Sequence, residues 1–206
     1  MRVPSQPKRI AGIAVPQDDM SQATWRWARS TLPRYLLGHS VRSYCWGSAI
    51  AEREGWTFDR RVLWTAALFH DVGLARLGTN TMCFEVEGAE IARRFLERHG
   101  MAPSESDRAA VAIILHMQPN VTLSDGVESV LLDRATAVDV RGVDLASIDR
   151  VRAGVVRDYP RGSFDRLFMR AISREATARP TCQSAVFVRR ARGSGWPDRT
   201  PWSEVS

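Results

Sequence analysis

Apolar residues recur along most of this chain at the three- and four-residue spacing of amphipathic α-helices. Asp or Ser residues near position 20 introduce a first helix through 22–32, which Pro33 ends, and Gly55 closes a second helix over 34–54. The remaining predicted helices fall within 58–74, 84–100, 104–119, 126–142, 146–160 and 163–180. Most of these segments begin at a capping residue and end near glycine or proline.

The pattern predicts an all-α fold, a bundle of roughly seven or eight helices, because nothing alternates with period two for long enough to form a sheet. Residues 1–20 are proline-rich and patternless, which predicts an extended N-terminal arm. Residues 21–188 are predicted to form one helical domain. Residues 189–206 have the composition of a C-terminal tail, which Trp196 and Trp202 can pin to the body of the protein or to a second subunit.

Composition supports one sizeable core, since 44% of the 206 residues are hydrophobic. The absence of a long apolar run and the early prolines argue against a membrane span or a signal peptide, so we expect a cytoplasmic protein with no membrane partner. The net charge of +6 raises nucleic-acid binding as an alternative. The arginines alternate with acids and Lys8 is the only lysine, which disfavours that role.

The cysteines Cys45, Cys83 and Cys182 are odd in number, far apart and without a CxxC pair. In a chain without an export signal, this pattern is typical of reduced, buried thiols. A disulfide, a catalytic cysteine and metal ligation by cysteine are all disfavoured.

The segment WTAALFHDVGLARLG, residues 64–78, places His70 and Asp71 inside an apolar run. Each side chain costs free energy to bury without a partner. Three of the four histidines, His39, His70 and His116, lie in apolar helical segments, whereas His99 precedes Gly100 and is expected to be structural. A lone core histidine commonly has a backbone partner, but this coincidence favours a shared cation such as Zn²⁺ or Fe²⁺. Adjacent residues reach one ion only near a helix end, which Gly73 would supply.

In order and spacing, His39, the pair His70 and Asp71, and a distant aspartate resemble the signature of the HD-domain metalloenzymes. The aspartate is Asp139 in ATAVDVRG, which fits better than the nearby Asp133. The resemblance spans roughly residues 30–175. It implies a metal-dependent hydrolase with a central metal site in a helical bundle.

The same resemblance bears on the number of metals. Two-metal members carry a further histidine before the GAE of the next helix, where this chain has Phe84, and another on the following helix, where it has His116. We therefore expect one divalent metal, zinc first and iron or manganese as alternatives, held by His39, His70, Asp71 and Asp139, with water in an open position. The missing histidine disfavours dinuclear oxygenases and two-metal phosphodiesterases.

The phrases HSVRSY, FEVEGAE and LHMQP resemble a branch similar to cyanamide hydratase, a lyase that adds water to a nitrile carbon. On this interpretation His116 transfers a proton to the substrate, assisted by Glu85 or Glu87. Phe84 lines a narrow pocket, and Arg42 orients a polar group or pairs with a carboxylate.

Two other functions stay open. A nucleotide or phosphate-ester phosphohydrolase would use Arg42 or Arg134 as its cation, and a partner-binding protein would keep the metal only as a structural staple. We expect a small-molecule substrate and a homo-oligomer.

Overall fold

The computed structural model describes residues 5–75, 81–196 and 202. The helices within these ranges are α1 (Asp19–Thr31), α2 (Arg34–Glu54), α3 (Arg60–Phe69), α4 (Val72–Ala75), α5 (Phe84–Arg98), α6 (Pro103–Leu115), α7 (Val127–Arg141), α8 (Asp149–Asp158), α9 (Phe164–Ala178) and α10 (Gln183–Ser194). The predicted all-α fold is confirmed. Helix α2 is central and packs against α3, α7, α8 and α9, while α5 packs against α4 and α6. Among the described helices, none is both long and apolar enough to cross a membrane.

Helix termini largely follow the capping residues in the sequence. The Asp59 carboxylate accepts hydrogen bonds from the backbone N–H groups of Arg61 and Val62, which starts α3. Gly55 and Gly142 end α2 and α7 with φ angles of 69° and 66°, a left-handed conformation that favours glycine. These predicted helix ends are confirmed.

Helix α3 ends earlier than the sequence predicted. It stops at Phe69, the chain turns at His70 and Asp71, and α4 begins at Val72, so Gly73 lies inside α4 and does not end α3. A Cβ atom at Gly73 would lie 2.6 Å from the Cα atom of Phe84 and 2.8 Å from its carbonyl carbon. Glycine is required at position 73 because α4 approaches the backbone of α5 this closely.

The N-terminal segment is partly regular where an extended arm was expected. Strands β1 (Arg9–Ile10) and β2 (Ile13–Ala14) form a two-stranded antiparallel hairpin whose isoleucines are buried in the core. The Tyr44 hydroxyl on α2 donates a hydrogen bond to the Ala14 carbonyl over 2.7 Å. Strands of two residues are too short to show the alternation by which strands are recognised in a sequence.

The described part of the predicted tail includes regular structure, because α10 continues through the predicted boundary at residue 188 and ends at Ser194. The Trp196 indole N–H donates to the Val140 carbonyl over 2.9 Å, and the Trp202 indole N–H donates to the Val138 carbonyl over 3.1 Å. Both tryptophans are buried. Their hydrogen bonds go to the end of α7, which agrees with the expectation that they pin to the body of the protein.

The prediction of three reduced thiols is wrong for two of the cysteines. Cys83, immediately before α5, and Cys182, immediately before α10, form a disulfide with their Cα atoms 5.7 Å apart. Cys45 is a free, buried thiol as expected. The two bonded cysteines are 99 residues apart, so only the tertiary fold, in which α10 packs on α9 and α9 contacts α4, brings them together.

Candidate metal centre

Three buried side chains point their ligand atoms at one another at the turn between α3 and α4. The Nε2 atoms of His39 and His70 are 3.1 Å apart. The Oδ2 atom of Asp71 lies 3.6 Å from Nε2 of His39 and 3.4 Å from Nε2 of His70. All three side chains are at most 2% exposed. Imidazole nitrogens and a carboxylate oxygen at this separation can hold a divalent metal ion.

The hydrogen bonds around this cluster fit a bound cation. Nδ1 of His70 donates to the Ala67 carbonyl over 2.8 Å, and Nδ1 of His39 faces the Asp139 carboxylate at 2.7 Å. An imidazole that binds a metal ion is neutral, and with its one proton on Nδ1 each of these rings would present a lone pair at Nε2. Oδ2 of Asp71 has no hydrogen-bond partner among the described residues. A cation would satisfy all three atoms.

The electrostatics of the cluster agree with this interpretation. Burial, together with the neighbouring His39, lowers the pKa of His70 to about 3, so its ring is neutral at pH 7. Burial raises the pKa of Asp71 above its usual value. A buried carboxylate that lacks a hydrogen-bond donor is stabilised in its charged form when a metal ion lies beside it.

The turn after α3 explains how adjacent residues can serve one ion. On a continuous helix the side chains of His70 and Asp71 would point about 100° apart. Because α3 ends at Phe69, both side chains reach toward the ring of His39 on α2. The sequence predicted that a helix end lets both residues reach one ion. The predicted end was at Gly73, whereas α3 ends at Phe69, immediately before His70.

Asp139 occupies a different position from the ligand role predicted for it. Its carboxylate accepts two hydrogen bonds of 2.8 Å from Arg42 and one of 2.8 Å from the Trp46 indole, besides its contact with His39. Arg161 lies 3.3 Å away. Burial alone would raise the pKa of Asp139, but Arg42 and Arg161 lower it well below its usual value. The carboxylate therefore orients His39 from the side opposite Nε2.

Arg42 does not reach the cavity beside the three candidate ligands. It is 1% exposed, forms the two hydrogen bonds to Asp139, and lies over the Phe164 ring at 5.1 Å. Of the two roles considered for it, the structure shows the pairing with a carboxylate and does not place it in a substrate pocket. Arg134, the other cation considered for phosphate binding, pairs at the surface with Glu54 and Asp144.

A cavity of about 810 Å³ opens beside the three ligand residues. One face of α7 lines it with Asp133, Thr136, Ala137, Val140 and Arg141. The opposite wall is a face of α10 that includes Gln183, Phe187 and Arg190. The cavity connects the candidate metal centre to solvent at a side where two exposed arginines, Arg141 and Arg190, stand.

His116 lies in the cavity wall beside the three candidate ligands. The sequence predicted a position close to the metal site for this residue. Its ring centroid is 4.9 Å from that of His70, and its Nδ1 donates to the Ile113 carbonyl over 2.6 Å. Burial, together with His70, lowers the pKa of His116 to about 3. The ring is neutral at pH 7 with a lone pair on Nε2 that can accept a hydrogen bond, and it has no second proton to give, which differs from the donating role first expected.

Phe84, Glu85 and Glu87 lie behind the cavity wall, although the sequence placed them in the pocket or in catalysis. Phe84 packs edge-on against His116 with the ring centroids 5.6 Å apart. Glu85 and Glu87 are buried in the first turn of α5, outside the cavity lining. Burial raises the pKa of Glu85, and its Oε2 has no hydrogen-bond partner among the described residues. A helical pattern shows which residues share a face of one helix, but it does not show which neighbouring helix or cavity that face meets.

The sequence did not predict that Arg141 and Arg190 line a cavity. Asp133 was considered only as an alternative metal ligand to Asp139. The signal for the α7 wall was present, since positions 133, 136, 137, 140 and 141 share one helix face. No pattern indicated Arg190, which falls in the segment expected to be a tail.

Comparison with known proteins agrees with this geometry. A family model of the HD domain matches residues 36–154, more than half of the chain and the part that contains all three candidate ligands. No curated protein matches the chain closely enough to count as a relative. The match ends within α8, so α9 and α10 lie outside it.

Proposed function

The chain belongs to the HD-domain family, whose members are generally metal-dependent hydrolases, and we propose that it is a hydrolase with one divalent metal ion. The observation that carries the proposal is the convergence of three buried ligand atoms, from His39, His70 and Asp71, beside a cavity. When bound, such an ion supplies a Lewis acid that lowers the pKa of water and polarises a substrate oxygen.

The protein supplies the orientation of the metal ligands and of the attacking water. Asp139 holds Nδ1 of His39 and so directs Nε2 toward His70 and Asp71. The Ala67 carbonyl holds His70 in the same way. Nε2 of His116, in the cavity wall next to His70, can accept a hydrogen bond from the water that attacks the substrate and so orient that water.

The proposal of one metal rests on the ligands available. Among the described residues, His39, His70 and Asp71 form the one cluster with metal-ligand spacing. Phe84 stands where two-metal relatives are expected to carry a histidine, and a phenyl ring offers no lone pair to a second ion. Zinc suits two imidazoles and a carboxylate, and iron and manganese suit them as well.

The cavity favours a substrate larger than cyanamide. A volume of about 810 Å³ is in the range of pockets that hold drug-sized ligands, whereas cyanamide would leave most of it empty. The exposed guanidinium groups of Arg141 and Arg190 suit an anionic group such as a phosphate. We therefore place hydrolysis of a phosphate ester ahead of nitrile hydration, which the sequence phrases had put first.

Metal analysis of the purified protein tests the proposed site. The wild type is expected to hold one equivalent of divalent metal per chain, and His39→Ala, His70→Ala and Asp71→Ala to lose it. Asp139→Asn is expected to retain metal at about 10- to 100-fold lower affinity, because Asp139 orients a ligand and does not bind the ion. His99→Ala is the matched control, since His99 stacks on Phe95 away from the cluster. Two equivalents per chain would contradict the single-metal proposal, and complete metal loss in Asp139→Asn would make Asp139 a ligand.

A substrate panel tests the reaction class. Metal-loaded protein is expected to release inorganic phosphate from nucleotides or other phosphate esters, and Arg190→Ala is expected to raise KM more than it lowers kcat. Urea formation from cyanamide without phosphate release would restore the nitrile-hydrating alternative.

A further inference from the structure

Helices α9 and α10 cover the cavity from outside the part of the chain that matches the HD family. The match ends at residue 154, whereas α10 begins at Gln183 and contributes Gln183, Phe187 and Arg190 to the cavity wall. A substrate that reaches His70 and Asp71 through this cavity must pass along α10. The position of α10 therefore determines access to the candidate metal centre.

Different contacts hold the two ends of α10: a disulfide and a side-chain hydrogen bond at its start, and a buried tryptophan just after its end. At its start, Cys182 is bonded to Cys83, and the Gln183 side chain donates to the Gln118 side chain over 3.1 Å. Just after its end, the buried Trp196 indole donates to the Val140 carbonyl. Without the disulfide, the start of α10 would keep one partly buried side-chain hydrogen bond and its packing on α9.

Helix α9 has attachments that do not depend on the disulfide. Phe164 stacks on His39 with ring centroids 4.8 Å apart. Oε1 of Glu175 accepts the Phe84 backbone N–H over 3.1 Å, and Glu175 also pairs with Arg179 at 2.7 Å. Loss of the disulfide would therefore leave α9 in place and release the start of α10 alone.

We propose that the Cys83–Cys182 disulfide is a redox-sensitive latch that holds α10 closed over the cavity. A dithiol reductant gives up two electrons and two protons and becomes a disulfide, while the S–S bond breaks and leaves two thiols at Cys83 and Cys182. The first turns of α10 then separate from the start of α5, and the cavity opens at Gln183 and Phe187. The inference rests on the proposed function only in treating the cavity as the reaction chamber.

The first test counts thiols. Alkylation of the denatured protein, purified in air without reductant, is expected to modify one cysteine, Cys45, and to modify all three after reduction. Modification of all three without reduction would overturn the latch.

The second test measures amide hydrogen exchange in full-length protein before and after reduction with a phosphine, which is oxidised to its oxide as the disulfide is reduced. Exchange in 183–190 is expected to become about tenfold faster, with 164–178 unchanged. Cys182→Ser is expected to behave like the reduced protein with or without the phosphine, because it removes the disulfide while serine is compatible with the N-cap position of α10, where Cys182 makes no side-chain capping hydrogen bond. Cys45→Ala, which leaves the disulfide intact, is expected to respond to the phosphine as the wild type does.

Equal exchange in 183–190 for oxidised and reduced wild-type protein would overturn the proposal. The reduced wild type decides this even if Cys182→Ser fails to fold. In metal-loaded protein, reduction is also expected to speed removal of the ion by a chelator. A protein that never binds metal would contradict the proposed function, while the exchange result would still decide the latch.

Discussion

Charged groups on the two sides of α7 experience opposite environments. Asp139 faces the core, where Arg42, Arg161 and the Trp46 indole surround its carboxylate. Asp133 faces the cavity, where burial raises its pKa to about 6 although Arg141 and Arg134 act to lower it. One helix therefore carries a carboxylate that stays ionised and another that titrates just below neutral pH.

The raised pKa of Asp133 predicts a pH-dependent effect of Asp133→Asn. A folded-state pKa above the unfolded value near 4 contributes stability that is complete below about pH 4 and is lost as the pH rises through 6. The asparagine variant lacks this loss, so at pH 8 its free energy of unfolding is expected to exceed that of the wild type by about 1 kcal/mol, a value reduced for partial solvent screening.

Urea denaturation of both proteins at pH 4.5 and pH 8 measures this effect. The difference between variant and wild type is expected to be smaller at pH 4.5. Glu97→Gln, which removes an exposed carboxylate, is the control for loss of one negative charge. An equal difference at both pH values would show that Asp133 does not titrate in this range.

The sequence was sufficient to predict that the side chains of His39, His70 and Asp71 come together, because buried imidazoles and a buried carboxylate in apolar helices need a partner. For Asp139 the sequence predicted a ligand, and the structure places its carboxylate at Nδ1 of His39. A carboxylate that orients a histidine and one that binds a metal leave the same pattern in a sequence. The distinction depends on which ring nitrogen the carboxylate faces, and only the packing of α2 against α7 decides that.

At the scale of elements, the short helix α4 packs against α5 directly after the turn that carries two of the candidate ligands. Gly73 lets α4 lie against the backbone of Phe84, and the turn before α4 carries His70 and Asp71. Helix starts and stops were predictable from capping residues such as Asp59 and Gly142. The hairpin at residues 9–14 and the break at His70 were not, because both depend on contacts distant in sequence.

Gly73→Ala is expected to destabilise the protein by about 1 to 3 kcal/mol, because its Cβ would meet the Phe84 backbone at 2.6 to 2.8 Å. The displaced α4 would also move Asp71 and weaken metal binding. Thermal and urea unfolding measure the first effect and metal titration the second.

Gly193→Ala is the matched control for this substitution. Gly193 lies in α10, and a Cβ atom added there would meet nothing within 4 Å, so alanine at this position is expected to be neutral or stabilising by up to about 1 kcal/mol. Equal effects of the two substitutions would show that the contact between α4 and α5 is not tight.

At the scale of the whole molecule, contacts distant in sequence join the C-terminal region to the HD core. The disulfide attaches α10 to the start of α5, and the Trp196 and Trp202 indoles donate hydrogen bonds to carbonyls at the end of α7. The sequence could predict that these tryptophans are buried against the protein, since large aromatic residues in a polar segment favour burial. It could not predict which carbonyls they contact. The cysteine pairing was not predictable, because nothing in the sequence brings positions 83 and 182 together.

Trp202→Phe is expected to cost about 1 kcal/mol in the free energy of unfolding, because it removes the indole N–H bonded to Val138 and keeps a ring for Arg161 to lie over. The cost stays small because the Val138 carbonyl also accepts the Gly142 N–H. Trp202→Ala, which also removes the ring, is expected to cost about 3 kcal/mol or more. Urea denaturation compares the two, and equal costs would show that the ring contributes nothing beyond its N–H.

The last turn of α7 has a consequence for the order in which the protein matures. Its Val138, Asp139 and Val140 carbonyls accept hydrogen bonds from Trp202, Arg161 and Trp196. Trp202 follows Val138 by 64 residues, which a ribosome adds in about 3 to 13 seconds. During that interval the Val140 carbonyl lacks its indole donor and the Val138 carbonyl has only the Gly142 N–H. We therefore expect the nascent chain to acquire the proposed metal ion late in synthesis, when the C-terminal tryptophans have emerged.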